Sequence, residues 1–495
     1  MRMLLHERPE VPRRQPETAQ VGRRGDRRGA NTLVDERDLT EVVAWAERGP
    51  VLASDGHVRV SLRDHEEAGT CIAFRRHRGA LRKRALLHLP CEPLEVVVVE
   101  VLKEWNLPER VHCLGRHRAD DKGLCPRATN PRGMRTQAAL YEEIDLELSW
   151  SEEELPERER TKHVHRLHPY LGKFVPQLVE TFLRRYGSPG RLVWDPFAGS
   201  GTTLVEANVF GAPAAGCDIS AFNCQLMRAK TARYEAHLLL ADVVRLARRR
   251  PESAAEAPSE YLRSWFAPRA LVELIAFRER IRDTSYPELW QVVLSRAARS
   301  ARLTRHDDLD FPAEPVTREY FCHKHRRVCR PVGEAEKFLR RYVRDAVLRV
   351  HEFADIRGGE PVTVIHGDAR DVDPPGPVDL VVTSPPYPGL IDYHEQHAYA
   401  YELLGLERRD SAEIGRGVKD YCEDVAAVLA RAARGLRRGG RIVVVVNDRR
   451  RLFDGIVADA GLRLEGRLRR HVNRRTGRRN GEFFEDVLVL RRRRA

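Results

Sequence analysis

Residues 191–211 read RLVWDPFAGSGTTLVEANVFG: a short apolar run, a turn with glycines at 199 and 201, then a helical pattern. Glycines between a buried strand and the first turn of a helix permit a tight reversal and a close backbone approach to a ligand, with helix amides facing a negative group. AAGCDIS follows as a second short strand ending in Asp218, and VTVIHGDA, much further on, supplies a third that ends in Gly367 and Asp368. This alternation predicts a doubly wound α/β sheet whose ligand sits at the carboxyl ends of the strands. The turn is not the dinucleotide fingerprint, because the third glycine is missing and an acid, Asp195, heads it. An acid there repels a pyrophosphate and suits a cationic ligand. Asp218, at the second strand end, is placed to accept hydrogen bonds from ribose hydroxyls.

The rest of the chain divides around this core. Residues 1–150 read as a partly disordered N-terminal extension: RRQPETAQVGRRGDRRGAN has no apolar periodicity, and although HVRVSL and LEVVVVEVL could be strands, RRHRGALRKR and CLGRHRADDKGLCPRATNPRG carry no pattern that would build a core. A compact N-terminal domain is the less favoured reading beside a poorly ordered extension or a start codon placed too far upstream. The first part of the sheet domain spans 151–230, entered through HPYLGKFVP and an amphipathic helix. Over 231–355 three helical segments and a proline- and cysteine-bearing loop predict a helical insertion. The sheet resumes over 356–495, where LRLEGRLRRH and EFFEDVLVL predict an antiparallel hairpin at its edge.

The 495 residues carry 86 Lys and Arg against 73 Asp and Glu, a formal charge of +13 that points to a polyanionic partner such as nucleic acid. No run of about 18 apolar residues occurs and the N-terminus lacks a signal-peptide core, so a soluble cytoplasmic protein with no membrane partner is expected. Nine cysteines at irregular spacings fit free thiols or a metal site better than a disulfide framework.

A further apolar run, VDLVVT, stops at Ser384, Pro385, Pro386 and Tyr387. Two prolines remove two backbone donors and bar the ladder from continuing. TSPPY is therefore a stiff shelf at a strand end. Together, DPFAGSGTTLVEA and the later TSPPY resemble the S-adenosylmethionine-dependent amino-methyltransferases of nucleic acids, specifically the DNA N4-cytosine and N6-adenine enzymes. The resemblance covers residues 161–230 and 361–492. It implies a class I methyltransferase fold, Rossmann-like, with a seven-stranded sheet carrying one antiparallel strand, and S-adenosylmethionine as cofactor. Lys173 and Phe174 would then lie near the methionine end of the cofactor. Asp195, Phe197, Gly199, Gly201 and Thr202 would cradle that end, Asp218 would take the ribose, and Asp368 the adenine side.

An exocyclic base amine is a poor nucleophile, because its lone pair is conjugated into the ring. Acceptors held on one side of it would draw its geometry toward tetrahedral and aim the lone pair. By the resemblance, Ser384 Oγ and the Pro385 carbonyl are those acceptors, Pro386 stiffens them, and Tyr387 stacks on a base flipped from the duplex. The implied reaction is direct displacement at the methyl, with no covalent enzyme intermediate and no catalytic metal. Serine at the head of the motif resembles the cytosine-N4 group, with adenine N6 second. An RNA guanine-N2 methyltransferase is a third reading, since HPYLGKFVPQL before a DPF turn also resembles tRNA-modifying enzymes, although those usually carry Asp-Pro-Pro-Tyr. The fourth is a non-catalytic binding protein, against which the intact Asp195, Asp218, Ser384 and Tyr387 count. Carbon-5 methylation needs a nucleophilic Pro-Cys on this loop, and Pro90-Cys91 lies far upstream. The implied partners are double-stranded DNA and, in restriction-modification or phage defence, an associated nuclease.

Three other segments carry expectations. GLIDYHEQHAYAYELLGL places Asp392, Tyr393 and His394 either beside a target base or in an amphipathic helix of packed aromatics. VNRRTGRRNGEF sets Arg474, Arg475, Arg478 and Arg479 on a hairpin tip, for phosphate contact or as a solvated turn. CHKHRRVC offers Cys322, His323, His325 and Cys329, but Cys-x6-Cys with interleaved histidines is not a standard zinc-finger spacing, and basic loop residues on phosphate are the preferred reading. With no recognition domain expected after the closing hairpin, target recognition is expected in the insertion between Asp218 and Asp368 or in the N-terminal 150 residues, the basic insertion being favoured.

Overall fold

Runs of β-branched residues whose side chains alternate between two buried faces, at 378–383 and 442–446, build the centre of the sheet. In chain order its strands are β1 (Leu192–Asp195), β2 (Ala214–Asp218), β3 (Val362–His366), β4 (Val378–Thr383), β5 (Leu436–Val446), β6 (Leu462–His471) and β7 (Phe484–Arg492). They join side by side as β6-β7-β5-β4-β1-β2-β3. β7 runs antiparallel to both of its neighbours, and the remaining pairs are parallel. The doubly wound sheet with one reversed strand is therefore present, and β6 with β7 is the expected closing hairpin. This computed structural model describes residues 148–493 except 151–152, 171, 173–174, 248–256, 310–311, 387–392, 410–412, 415–416 and 473–483, together with four two-residue strands between Val51 and Leu81.

Leu380, Val382, Val443 and Val445 point to one face of the sheet, where they meet Leu178 and Phe182 of the Pro176–Tyr186 helix and Leu204 of the Thr202–Phe210 helix. Val381, Ile442, Val444 and Val446 point to the other, under the Val418–Gly435 and Phe453–Asp459 helices. Burial on both faces is why these strands read as unbroken apolar runs rather than alternating ones.

The predicted insertion is a packed helical layer. Helices Ala236–Ala247, Pro268–Ile281, Pro287–Ala301 and Glu336–Ala354 share one core with Phe222 and Leu226 of the Ala221–Thr231 helix, which belongs to the sheet domain. A buried carboxylate fastens it: Asp242 accepts from Trp290 Nε1 at 2.7 Å and from the Ser285 and Tyr286 amides at 2.7 and 3.1 Å. Where the sequence predicts only a loop, Tyr320–Cys322 and Arg327–Cys329 pair as a small antiparallel hairpin. Strands of three residues are too short to leave a periodic signal.

Residues just ahead of 151 also pack on the sheet. Leu148 is buried in the sheet core, and Ser149 Oγ accepts from the His471 amide at 2.9 Å. Among the described residues no helix is long and apolar enough to cross a membrane.

Candidate active site

The four strands β4, β1, β2 and β3 end next to one another, and each end carries a residue singled out from the sequence: Ser384, Asp195, Asp218 and Asp368. Neighbouring strands lie about 4.8 Å apart, so the proline shelf and the glycine turn are adjacent. A hydrogen bond ties them: Thr383 Oγ1 donates to Asp195 Oδ1 at 2.6 Å. On the other side, the Gly199 amide donates to Asp218 Oδ2 at 2.8 Å, joining the turn after β1 to the end of β2.

The turn needs its glycines for two reasons. Gly199 and Gly201 have φ of +50° and +76°, a region that side chains disfavour. A Cβ on Gly201 would also sit 2.7 Å from Met227 Cγ, and one on Gly199 3.2 Å from the Tyr170 hydroxyl. Gly201 then leads into the Thr202–Phe210 helix, whose first amides have no side-chain cap. Ser200 Oγ, Thr202 Oγ1 and Asn223 Oδ1 are buried without a hydrogen-bond partner. Each such atom costs about 1–3 kcal/mol, so three beside one turn mark a place shaped for a polar ligand.

The acids differ in electrostatics. Asp195 is fully buried, and burial lifts its pKa to about 6, against the pull of hydrogen bonds from Thr383 Oγ1 and the Phe197 amide. Burial also raises Asp218, even though the Ser220 amide and Asn223 Nδ2 donate to its Oδ1 at 2.9 and 3.1 Å. Asp368 goes the other way: burial would raise it, but Arg370 grips it with Nη2 at 2.6 Å and Nε at 3.0 Å and holds it below the usual carboxylate range. Arg370 reaches on to Asp424 at 3.0 Å. The Asp368 carboxylate thus already has a cationic partner within the chain.

At the shelf, Ser384 Oγ donates to the Val445 carbonyl of β5 at 2.9 Å. Its one proton is committed there, which leaves the oxygen lone pairs to accept. Pro385 is buried and Pro386 half-buried, and neither carries an N–H.

A family model described as DNA methylase matches residues 119–229, the stretch that holds the glycine turn. The Type II methyltransferase M.MjaII of Methanocaldococcus jannaschii is 33% identical over 448 residues, spanning 71% of this chain and 84% of its own. The chain belongs to the DNA amino-methyltransferases. A more distant member, the Type II methyltransferase M.MvaI of Kocuria varians, is 23% identical over 51% of this chain and 60% of its own. Among solved structures, TrmN from Thermus thermophilus overlaps 65% of this chain and 50% of its own at 14% identity and a TM-score of 0.26.

As a member of this family the protein is an S-adenosylmethionine-dependent methyltransferase, and the turn fits that cofactor. The unpaired Ser200, Thr202 and Asn223 oxygens and the uncapped helix amides offer groups for its polar end, beside the buried acid Asp195. Of the residues expected from sequence, Asp195, Phe197, Gly199, Gly201, Thr202, Asp218, Asp368, Ser384, Pro385 and Pro386 gather along one rim of the sheet. Lys173, Phe174, Tyr387, Asp392, Arg474, Arg475, Arg478 and Arg479 lie outside the described residues, and for Tyr393 only the helical backbone is described. His394 is buried and bonded through Nδ1 to Glu413, with the Arg409 amide on Nε2 at 3.3 Å. Its ring also packs against Tyr401 at 5.1 Å.

Several site residues escaped the sequence reading. Thr383 forms the lock to Asp195, yet nothing in its own position announces it. Tyr170 lies over Gly199 and takes a hydrogen bond from Asn223 Nδ2 at 3.1 Å. It belongs to HPYLGKFVP, so the segment was found although the residue was not. Lys230 is fully buried and donates to the Ser200 carbonyl at 2.6 Å, pinning the turn. A lysine on the buried side of an otherwise ordinary helix was its only trace.

Proposed function

We propose that this protein transfers the methyl group of S-adenosylmethionine to the exocyclic amine of a base flipped out of duplex DNA, with cytosine N4 the favoured position. The observation that carries the reading is the Thr383–Asp195 hydrogen bond of 2.6 Å, which sets the proline shelf beside the glycine turn. S-adenosylmethionine supplies an electrophilic methyl group. Asp195 faces the positive end of the cofactor, Asp218 its ribose, and the first amides of the Thr202–Phe210 helix its carboxylate. Lys173 and Phe174 close over the methionine end. Ser384 Oγ and the Pro385 carbonyl accept the hydrogens of the target amine and aim its lone pair, while Tyr387 stacks on the base. Tyr393 flanks that base, and Arg474, Arg475, Arg478 and Arg479 contact phosphates. The Arg370 pair on Asp368 leaves the adenine to be held by other means, or requires Arg370 to turn toward Asp424. Serine at position 384 supports cytosine over adenine, and the basic insertion is the place for target recognition.

The test is incubation with isotopically labelled cofactor and either duplex DNA or tRNA, followed by nucleoside mass spectrometry. Labelled N4-methylcytosine from DNA is expected. N6-methyladenine from DNA would overturn the cytosine preference, and N2-methylguanine from tRNA the DNA reading.

A pH dependence follows from the same acid. With its pKa near 6, Asp195 is ionised at neutral pH and takes up a proton as pH falls through about 6. Protonation removes the negative partner of a cationic ligand, so cofactor affinity is expected to weaken about tenfold between pH 7 and pH 5. Calorimetric titrations in one buffer series check it, and a flat profile over that range would detach Asp195 from the sulfonium or ammonium group.

A further inference from the structure

Away from the sheet rim, the insertion carries a cluster that the methyl-transfer reading does not use. His306, Cys322, His325 and Cys329 each offer a ligand atom, and the four atoms lie within 4.8 Å of one another. Cys322 and Cys329 come from the two strands of the small hairpin, His325 from its turn, and His306 from the chain leading into it. Both sulfurs sit 3.5 Å from His325 Nδ1. In a tetrahedral site with Zn–S of about 2.3 Å and Zn–N of about 2.05 Å, the S···N edge is about 3.6 Å. Each thiol is already at the tetrahedral edge distance from His325 Nδ1. Both cysteines are buried and free of disulfide.

We propose that this hairpin is a structural zinc site with Cys322, Cys329, His325 Nδ1 and His306 Nε2 as ligands. Two thiolates and two imidazoles in a closed tetrahedral arrangement select zinc over harder cations. His306 Nδ1 lies 3.0 Å from the Tyr320 hydroxyl, whose oxygen also receives the His306 amide at 3.0 Å. A metal on Nε2 fixes the tautomer, with Nδ1–H donating to Tyr320, and that outer partner holds the ring in place. The hairpin needs such a staple. Its strands have three residues each, and its own apolar cluster is Tyr320, Cys322 and Cys329 with Val316 against them, while Phe321 and Val328 are exposed. A two-stranded ribbon that small is marginal on apolar burial alone. Zinc binding displaces the two thiol protons and ties residues from three points of the chain to one centre.

The donor set differs from the one in CHKHRRVC. His323 follows the strand alternation outward: Cys322 is buried, Phe321 and His323 are exposed, and the two rings meet edge to face at 5.3 Å. His306 takes the fourth position from upstream.

The experiment uses the full-length protein, expressed with supplementary zinc and purified without chelator. Elemental analysis is expected to find one zinc per chain, His323→Ala to keep it, and both His306→Ala and the Cys322→Ser/Cys329→Ser pair to lose at least about tenfold in zinc content. Cobalt exchanged into the wild type should show the ligand-field and thiolate charge-transfer bands of a tetrahedral mixed sulfur–nitrogen site. Loss of metal through misfolding of a variant is separated by titrating the wild type with chelator, when two thiols should become alkylatable for each zinc released. Wild-type protein that holds no zinc, with these thiols freely alkylatable or joined as a disulfide, would overturn the site. Zinc retained by the double cysteine variant would do the same, and zinc lost from His323→Ala but kept by His306→Ala would refute the ligand set.

Discussion

Replacing Ser384 with alanine is expected to slow methyl transfer by on the order of 10²-fold while leaving the affinity for S-adenosylmethionine essentially unchanged. The asymmetry comes from where the hydroxyl points. Its proton goes to the Val445 carbonyl at 2.9 Å, so toward the substrate it can serve only as an acceptor. An acceptor of the amine hydrogen matters most when the nitrogen turns tetrahedral, which is a property of the transition state and not of the bound cofactor. Truncation also leaves the Val445 carbonyl without that donor, at a cost of about 1 kcal/mol of stability. Thermal unfolding of Ser384→Ala measures that separately from the rate. Single-turnover methylation and calorimetric cofactor binding, run side by side, decide the matter. A variant that loses rate and cofactor affinity together would place Ser384 in the cofactor site and not at the amine. Ser384→Thr keeps an oxygen of the same kind and is expected to recover part of the rate.

How much of this was legible beforehand follows from the range of the interactions. Asp195, Asp218 and Asp368 were found because each closes a short apolar run, and the carboxyl ends of parallel strands share one rim by topology alone. The proline shelf was found because Pro385 and Pro386 can only end a strand. What joins these parts was not legible. Thr383 and Asp195 lie on neighbouring strands but far apart in the chain, and no local pattern encodes their hydrogen bond. Arg370 hides the same way: two residues beyond Asp368, it reads as one more arginine in an arginine-rich chain, yet it claims that carboxylate. His394 stood between two roles in the sequence, and its burial and its bond to Glu413 are long-range facts that no local pattern encodes. The cysteine and histidine cluster was only partly legible for a related reason. Local spacing put His323 beside the cysteines, but strand alternation turns it outward, and His306 arrives from a separate segment.

Asp195→Asn is expected to make the protein more stable and inactive at once. The carboxyl is fully buried, and burial raises its folded pKa to about 6 from the 3.8 of a free aspartate. A carboxylate whose folded pKa is raised destabilises the fold when ionised: the penalty is absent below the unfolded pKa, grows as pH rises toward 6, and is fully present at neutral pH. An uncharged isostere removes that penalty, a gain on the order of 1–3 kcal/mol at pH 7.5 and none at pH 3.5. The hydrogen bonds survive the exchange. The amide oxygen can still accept from Thr383 Oγ1 and the Phe197 amide, and the amide N–H can donate to Thr203 Oγ1, whose own proton goes to the Val382 carbonyl at 3.1 Å. Asp195→Ala has no such replacement and leaves the Thr383 hydroxyl and the Phe197 amide orphaned, so it should melt earlier than the wild type. Both variants lose the charge proposed to face the cofactor, and both should bind S-adenosylmethionine more weakly by on the order of 10²-fold. Urea unfolding across the pH range, paired with cofactor titration, reads the two effects separately. If Asp195→Asn melts below the wild type at pH 7.5, or binds cofactor as tightly, the buried charge is not the strained element that the site maintains for its cationic ligand.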